Sequence, residues 1–230
     1  MPSIASIRAS GRSRVPRGQE AGGSEEMRVV VLDDGRRLRV DVEQMARYGL
    51  APGEPIADDL LARLAAQDLY LRARAMAVRL LAVRPCSTAE LRSRLLRDGV
   101  AGDQVRKVVG DLTAAGYLDD SAFARAWVAS RMGSRPYGLR RIRWELRGKG
   151  LPAALIEQAI REAFGEESPS AAEERCARAV IERRLPTYQR LAPEVRIRRL
   201  AGFLERRGFA ASTIARVLGM AQRGHVREPG

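Results

Sequence analysis

Three stretches of this chain, LRSRLLRDGV (Leu91–Val100), IRWELRGKGL (Ile142–Leu151) and LAGFLERRGF (Leu200–Phe209), are copies of one pattern. In each, apolar residues stand eight and four places before a glycine: Leu91 and Leu95 before Gly99, Ile142 and Leu146 before Gly150, Leu200 and Leu204 before Gly208. An apolar residue follows at once: Val100, Leu151 or Phe209. A helix that stops in a left-handed residue wants glycine there, and the next residue folds back on the one four places before the glycine. The pattern therefore predicts the contacts Val100–Leu95, Leu151–Leu146 and Phe209–Leu204. Further small or apolar residues come six, nine and ten places after each glycine: Val105, Val108 and Val109; Ile156, Ala159 and Ile160; Ile214, Val217 and Leu218. Their spacing is helical, so each copy reads as helix, glycine stop, helix. The glycines are 51 and 58 residues apart, near the range in which internal repeats imply stacked helical units.

The rest of the chain fits around these copies. A long apolar pattern from Ile56 to Val83, with Leu60, Leu64, Leu71, Met76, Leu80 and Leu81 prominent, leads into the first. Ser87 and Glu90 make a capping box for the helix that ends at Gly99. A helix over about 102–115 closes that unit. Asp119 or Asp120 caps a helix carrying Phe123, Trp127 and Val128, and Gly133 to Gly138 forms a break. Pro152 suits the first turn of the helix after Gly150, and Gly165 to Pro169 reads as a linker. Ser170 and Glu173 form a second capping box for a helix through Leu185; Pro186 to Pro193 then connects to the third copy. A last helix covers about 211–221. The expected fold is all-α: tandem three-helix repeats, about nine helices, in an elongated array. The repeats span 56–116, 117–165 and 166–222, with a loose tail over 223–230.

Ahead of them, RVVVL and RRLRVDV flank Asp33-Asp34-Gly35, and Asp-Gly is a strong two-residue hairpin turn. The region 27–55 is thus a small β-hairpin followed by a short helix ending at Gly49. A lone hairpin is marginal in water and must dock on something; its free edge could also take a partner's strand. Residues 1–26, rich in Ser, Gly, Arg and Pro, read as a disordered tail.

The chain has 230 residues and a net charge of +13, and all its basic residues but Lys107 and Lys149 are arginine. Such a surface favours nucleic acid or an acidic protein face. Only 5% of residues are aromatic, so the cores must be aliphatic. Cys86 and Cys176 suit neither a disulfide framework nor a zinc site, and read as small, mostly buried residues in a reducing compartment. No stretch reads as a signal peptide or a membrane span, so a cytoplasmic protein is expected.

The densest basic stretch is Arg131, Arg135, Arg140, Arg141, Arg143, Arg147 and Lys149. Arg140, Arg143 and Arg147 are three and four residues apart and share a helix face; guanidinium groups bind phosphate and carboxylate alike. Arg196, Arg198, Arg199, Arg206 and Arg207 form a second, weaker group. Trp127 reads as core beside Phe123, Tyr117 as packing at a unit junction, and Trp144 could stack on a base. Asp119 and Asp120 have the look of an acidic pair, but a cap and a turn explain them. The single histidine, His225, lies in the tail. Neither a phosphate-binding glycine loop nor a metal-ligand cluster is evident, so no catalytic residue, metal or cofactor is expected and the protein should act by binding.

The stretch GYLDDSAFARAWVASR (Gly116–Arg131) followed by YGLRRIRWELRGKGL (Tyr137–Leu151) resembles the RecX family of bacterial regulatory proteins, which act on the recombinase RecA. The resemblance rests on Gly116 to Asp120, Gly138, Arg141-Ile142, Glu145-Leu146 and Lys149-Gly150, with Ser87 to Leu91 in the first unit and Arg207 to Phe209 in the third. The family often has proline where this chain has Leu139. The resemblance covers about residues 27–220. It implies an array of three-helix repeats lying in the groove of the RecA–single-stranded DNA filament, inhibiting or disassembling it and restraining ATP hydrolysis, strand exchange and coprotease activity. The partners implied are RecA and its filament, with direct DNA contact possible, for a monomer that stays off membranes.

Overall fold

The computed structural model describes residues 1–9, 26–133 and 136–225, with side chains described through Gly219. The described residues form three short strands and ten helices, the first helix being the short one predicted to end at Gly49. The chain divides into two compact units, residues 1–84 with 94–111, and residues 85–93 with 112–230.

The first unit begins with a correction. Residues Ile4–Ala9, expected to be disordered with the rest of 1–26, form strand β1, antiparallel to β2 (Met27–Leu32). Residues 10–25 of that expected tail lie outside the described residues. Strand β3 (Arg37–Asp41) pairs antiparallel with β2, giving the order β1-β2-β3. The hairpin loop differs from the two-residue turn expected. Leu32 pairs with Arg36 through its N–H, so Asp33, Asp34 and Gly35 make a three-residue loop with Gly35 at φ 83°. That is a turn closed by a left-handed residue, the next most favoured hairpin geometry. Helix α1 (Val42–Tyr48) follows, capped by the Asp41 carboxylate on Gln44 N–H and ended by left-handed Gly49.

Neither edge of the hairpin is open as expected. β1 covers β2, and helix α2 (Asp58–Val83) covers β3 with two side chains. The Asp68 carboxylate, 3% exposed, accepts from Arg39 N–H at 3.0 Å, and Arg72 donates to the Arg37 carbonyl at 3.0 Å. An ion pair of 2.7 Å joins Arg72 to Asp68. Ile4, Val30, Leu32, Leu38, Val40, Leu50, Ile56, Leu61 and Leu64 form the core beneath the sheet. The buried positions of α2 are Leu61, Leu64, Asp68, Ala73 and Ala77, whereas the prominent Leu60, Leu71, Met76, Leu80 and Leu81 are only half-buried. Tyr70 donates to Asp111 at 2.6 Å, tying α2 to α4 (Gly102–Ala114). Burial, reinforced by Asp111, pushes its phenol up to about 12.

The three glycine stops form as the pattern requires. Gly99, Gly150 and Gly208 have φ of 84°, 77° and 81°. They end helices α3 (Thr88–Arg97), α6 (Leu139–Gly148) and α9 (Pro193–Arg206). The N–H groups of Val100, Leu151 and Phe209 return to the carbonyls of Leu95, Leu146 and Leu204 at 3.0, 3.2 and 3.2 Å. All the repeated apolar positions are buried except Val100, which is half-buried. The Ser87–Glu90 capping box at the start of α3 is reciprocal: Glu90 N–H donates to Ser87 Oγ and Ser87 N–H to the Glu90 carboxylate.

The second unit also contains α5 (Asp120–Met132), α7 (Ala153–Phe164), α8 (Pro169–Tyr188) and α10 (Ala211–His225). α5, α6 and α7 enclose one core, with Ala124, Val128, Ile142, Leu146, Ile156 and Ile160; α8, α9 and α10 enclose another, with Cys176, Ala177, Leu204, Phe209 and Ile214. Cys176 is thus buried, and Cys86 is half-buried. The expected Ser170–Glu173 capping box is not formed. The cap is Ser168, whose hydroxyl accepts from Ala171 N–H, because Pro169 fixes the first helical position two residues earlier than expected. α8 also runs through Pro186 to Tyr188 rather than stopping at Leu185, since a proline in the last turn removes only one helical hydrogen bond. α10 extends to His225, past the expected end near 221.

The repeats of this unit are joined end to end by backbone. At the start of α6, Gly138 N–H donates to the Arg207 carbonyl at 2.9 Å and Arg140 N–H to the Gly208 carbonyl at 3.1 Å. Leu139 N–H, between them, donates to the Glu173 carboxylate at 2.7 Å. A side chain at Gly138 would place its Cβ 2.2 Å from the Gly208 and Phe209 backbone, and one at Gly208 would meet Arg141 Cβ at 2.5 Å. The stop of α6 meets the start of α3 in the same sense. Ser87 Oγ donates to the Lys149 carbonyl at 2.6 Å, and a Cβ on Gly150 would lie 2.4 Å from that of Ala89.

Gly138 has an ordinary φ of −72°, so alanine there is opposed only by the neighbouring backbone. Gly138→Ala is expected to lose about 3 kcal/mol or more in urea unfolding. Gly110→Ala, in an exposed helical position with open space around it, is expected to gain up to about 1 kcal/mol. Equal effects at the two glycines would refute the backbone junction.

Candidate nucleic-acid and partner interface

The predicted basic residues fall into two groups once their surroundings are known. Those in the first are engaged. Glu145, on α6, accepts from Arg131 Nε at 2.6 Å, Arg141 Nε at 2.9 Å and Trp127 Nε1 at 3.0 Å. Burial pushes the Glu145 carboxyl up, but these three donors outweigh it and hold the group below its ordinary value. Arg143 grips Glu157 with two bonds of 2.7 and 2.9 Å. That grip, helped by the nearby charges of Arg147 and Arg161, holds the Glu157 carboxyl down. Lys149 pairs with Glu90 at 2.9 Å. Arg207 donates to the Pro136 carbonyl at 3.0 Å.

The same cations lie against aromatic rings. Lys149 Nζ is 4.2 Å from the centre of the Trp127 ring, and Arg131 Cζ 4.4 Å from it. Arg131, Arg141 and Arg207 surround Tyr137 at 5.7, 5.1 and 5.2 Å. Arg207 and Arg184 bracket Phe203 at 5.0 and 4.8 Å. A chain of alternating charge and ring thus runs from Phe123, stacked on Trp127, to Tyr188 beside Arg184. Cation–ring contacts at partly exposed sites contribute about 0.5–1 kcal/mol each. Glu145 and Glu90 are the carboxylates set among five cations, so the ladder keeps a positive surplus.

The second group is free. The side chains of Arg140, Arg147 and Arg206 are exposed, and none of them makes a hydrogen bond or ion pair among the described residues. Arg198 and Arg199 share that condition. Arg135 lies outside the described residues. The expected face of Arg140, Arg143 and Arg147 is therefore only partly available, because Arg143 is committed to Glu157. Between Arg140 and Arg147 stands Trp144, 70% exposed.

The acidic pair is structural. Asp119 accepts from the N–H groups of Ser121 and Ala122 at the start of α5, and Asp120 accepts from Thr88 N–H at 2.8 Å. Glu173, 3% exposed, is the carboxylate that sequence reading misassigned. Besides Leu139 N–H it accepts from Thr213 Oγ1 at 2.7 Å. A capping-box pattern two positions out of register with the true cap concealed it.

Models of the first, second and third three-helix domains of RecX match residues 73–112, 119–160 and 172–218. The regulatory protein RecX of Thermobifida fusca is 38% identical over 154 residues, which are 67% of this chain and 80% of that protein. The chain belongs to the RecX family. The regulatory protein RecX of Geobacillus kaustophilus is 32% identical over 198 residues, 85% of this chain and 72% of the relative. A crystal structure of a regulatory protein RecX superposes with a TM-score of 0.68 at 18% identity, covering 94% of this chain and 98% of that one. RecX from Lactobacillus salivarius gives a TM-score of 0.60 at 15% identity, covering 68% and 99%. Among the described residues, no helix is long and apolar enough to cross a membrane.

Glu145→Gln is expected to lower stability by about 1–2 kcal/mol at neutral pH, since Arg131 and Arg141 lose their shared charge. Because the folded carboxyl titrates below its unfolded value, the contribution is complete above about pH 4.3 and fades as pH falls through the folded value. Thermal melts of both proteins from pH 7 to pH 3 should therefore converge at the acid end; a constant gap would rule out the charge.

Proposed function

We propose that the protein binds RecA filaments on single-stranded DNA and inhibits or disassembles them, restraining recombination together with RecA's ATPase and coprotease activities. Membership of the RecX family gives the reading its direction. The observation that carries it to particular residues is the sorting of the arginines. Most of the basic stretch is consumed by Glu145, Glu157, Glu90 and the aromatic ladder. The side chains of Arg140, Arg147 and Arg206 remain exposed without a hydrogen bond or ion pair among the described residues. Guanidinium groups in that condition gain most from an incoming phosphate or carboxylate, because no internal partner must first be given up. A filament of acidic DNA and protein offers both. The engaged residues Arg131, Arg141, Arg143, Lys149 and Arg207 would then set the geometry and background potential, and the free ones would make contact.

On this reading the protein works in the cytoplasm as a monomer, without a cofactor and without catalysing a reaction. The net charge of +13 favours a second reading, a stand-alone nucleic-acid binder held mainly by phosphate. The two differ in their response to salt and in their need for RecA. A phosphate-driven binder holds bare DNA and weakens steeply with salt. A filament regulator prefers RecA-coated DNA at salt that abolishes binding to the bare strand.

The deciding measurement is RecA's ATP hydrolysis on single-stranded DNA, titrated with this protein. Steep loss at ratios well below one per RecA is expected. The pair Arg140→Glu and Arg147→Glu should weaken that inhibition on the order of tenfold or more, with an unchanged melting temperature. Loss of ATPase only when the protein is abundant enough to coat the DNA would overturn the filament reading in favour of the plain DNA binder.

A further inference from the structure

We infer that Trp144, with Arg140 and Arg147, is a base-stacking site for single-stranded nucleic acid on the outer face of α6. The inference deepens the filament reading and rests on it for its biological setting, yet the contact itself requires only the strand. Trp144 is 70% exposed. Arg140 lies four residues before it and Arg147 three after, so the three side chains share one helix face. Ile142 and Leu146 take the buried face of α6, Arg141 and Glu145 turn toward α5, and Arg143 turns toward Glu157 on α7. The outward face is thus an indole between two unpaired guanidinium groups.

Three observations distinguish this ring. Phe123, Trp127, Tyr137, Tyr188 and Phe203, in the same unit, each lie against a cation of the chain itself. Trp144 has no such partner among the described residues. The position six places before the glycine stop is Ser93 in the first repeat and Gly202 in the third, so the fold does not require a ring there. Glu145 and Glu157 are already held by Arg131, Arg141 and Arg143, and Arg147 acts on Glu157 through its charge alone, without a hydrogen bond.

Single-stranded nucleic acid satisfies both halves of the site. Its bases offer flat faces to the indole and its phosphates offer acceptors to the guanidinium groups. Arg140 and Arg147 are about 10 Å apart along the helix axis, roughly the rise of three stacked nucleotides. An acidic protein segment could occupy the arginines but would leave the ring face without a matching surface. A duplex keeps its bases stacked on one another and offers the indole no free base face.

The chain has two tryptophans, Trp127 and Trp144, which makes intrinsic fluorescence the direct test. A short thymidine oligomer, added without RecA at low salt, is expected to quench the wild-type emission. Trp144→Ala should abolish the quenching, leaving the Trp127 signal unchanged, and should weaken binding on the order of tenfold. Trp144→Phe should recover part of that affinity. An abasic strand of equal length should bind without quenching. Arg140→Gln and Arg147→Gln should each reduce the dependence of log affinity on log salt by roughly 0.7. No quenching in wild type, or equal affinity of wild type and Trp144→Ala at an unchanged melting temperature, would overturn the site. Should Trp144→Ala keep its affinity for the oligomer but lose inhibition of RecA's ATPase, the ring meets protein instead; the filament reading would stand and this inference would fall.

Discussion

The end of α9 meets the start of α6 through direct backbone hydrogen bonds at two glycines, and the arrangement of the second unit depends on that contact. The first N–H groups of a helix have no partner inside it, nor do its last carbonyls. At α6 every early donor is satisfied: Gly138 by the Arg207 carbonyl, Leu139 by Glu173, Arg140 by the Gly208 carbonyl and Arg141 by the Gly138 carbonyl. Two of those acceptors are the carbonyls that a glycine stop leaves over at the end of α9. The helix dipoles are thereby set end to end, favourable in itself. The buried Glu173 charge becomes intelligible in the same frame. It sits at a positive helix end that has no side-chain cap of its own, and Thr213 supplies a second donor. At α3 the junction is met by a serine hydroxyl on the Lys149 carbonyl, with Lys149 itself returning to Glu90.

The parts of the fold that were legible in the sequence are those governed by local helix physics. A stop glycine, its following apolar residue and the buried positions on either side are all set within about twenty residues, and the three copies state them three times. The capping box at Ser87 is local in the same way. Strand β1 is different. IASIRA is short, alternates weakly and is separated from its partner strand by residues 10–26, so its pairing follows from Leu32 and Val30 needing cover rather than from any signal of its own. The second capping box failed because Ser168-Pro169 and Ser170 both offer a plausible start, and proline decides between them by fixing φ at the first helical position. Asp68 illustrates the limit most sharply. A carboxylate on a helix reads as solvated until a strand edge is laid against it.

The candidate interface was half legible. Helical spacing placed Arg140, Arg143 and Arg147 on one side of α6; in the structure Arg140 and Arg147 are exposed and Arg143 turns to Glu157. What spacing cannot reveal is which charges a neighbouring helix consumes. Glu157 lies fourteen residues from Arg143 and removes it; Glu145 removes Arg131 and Arg141 together. Each such pairing costs the solvation of both partners and returns a geometry. Arg131 and Arg141 instead enter the ladder of charge and ring that runs from Phe123 to Tyr188. The free arginines therefore project from a surface whose own side chains are already fixed.

A repeat held by backbone junctions has a consequence for how recognition can change. Where side chains form the joint, altering the outward face risks the fold, because one residue serves both ends. Here the joint is made by Gly138, Gly208 and carbonyl groups, and the core by the residues four and eight places before each glycine. The outward position six places before the glycine belongs to neither, and it is free to be Ser93, Trp144 or Gly202 in successive repeats. The same separation explains why the middle repeat can carry an exposed indole, ordinarily a liability on a soluble surface, without any cost to its packing. Within the second unit the residues that make the joint and the core are thus separate from the residue at the outward position of α6, so a change at that position leaves joint and core intact.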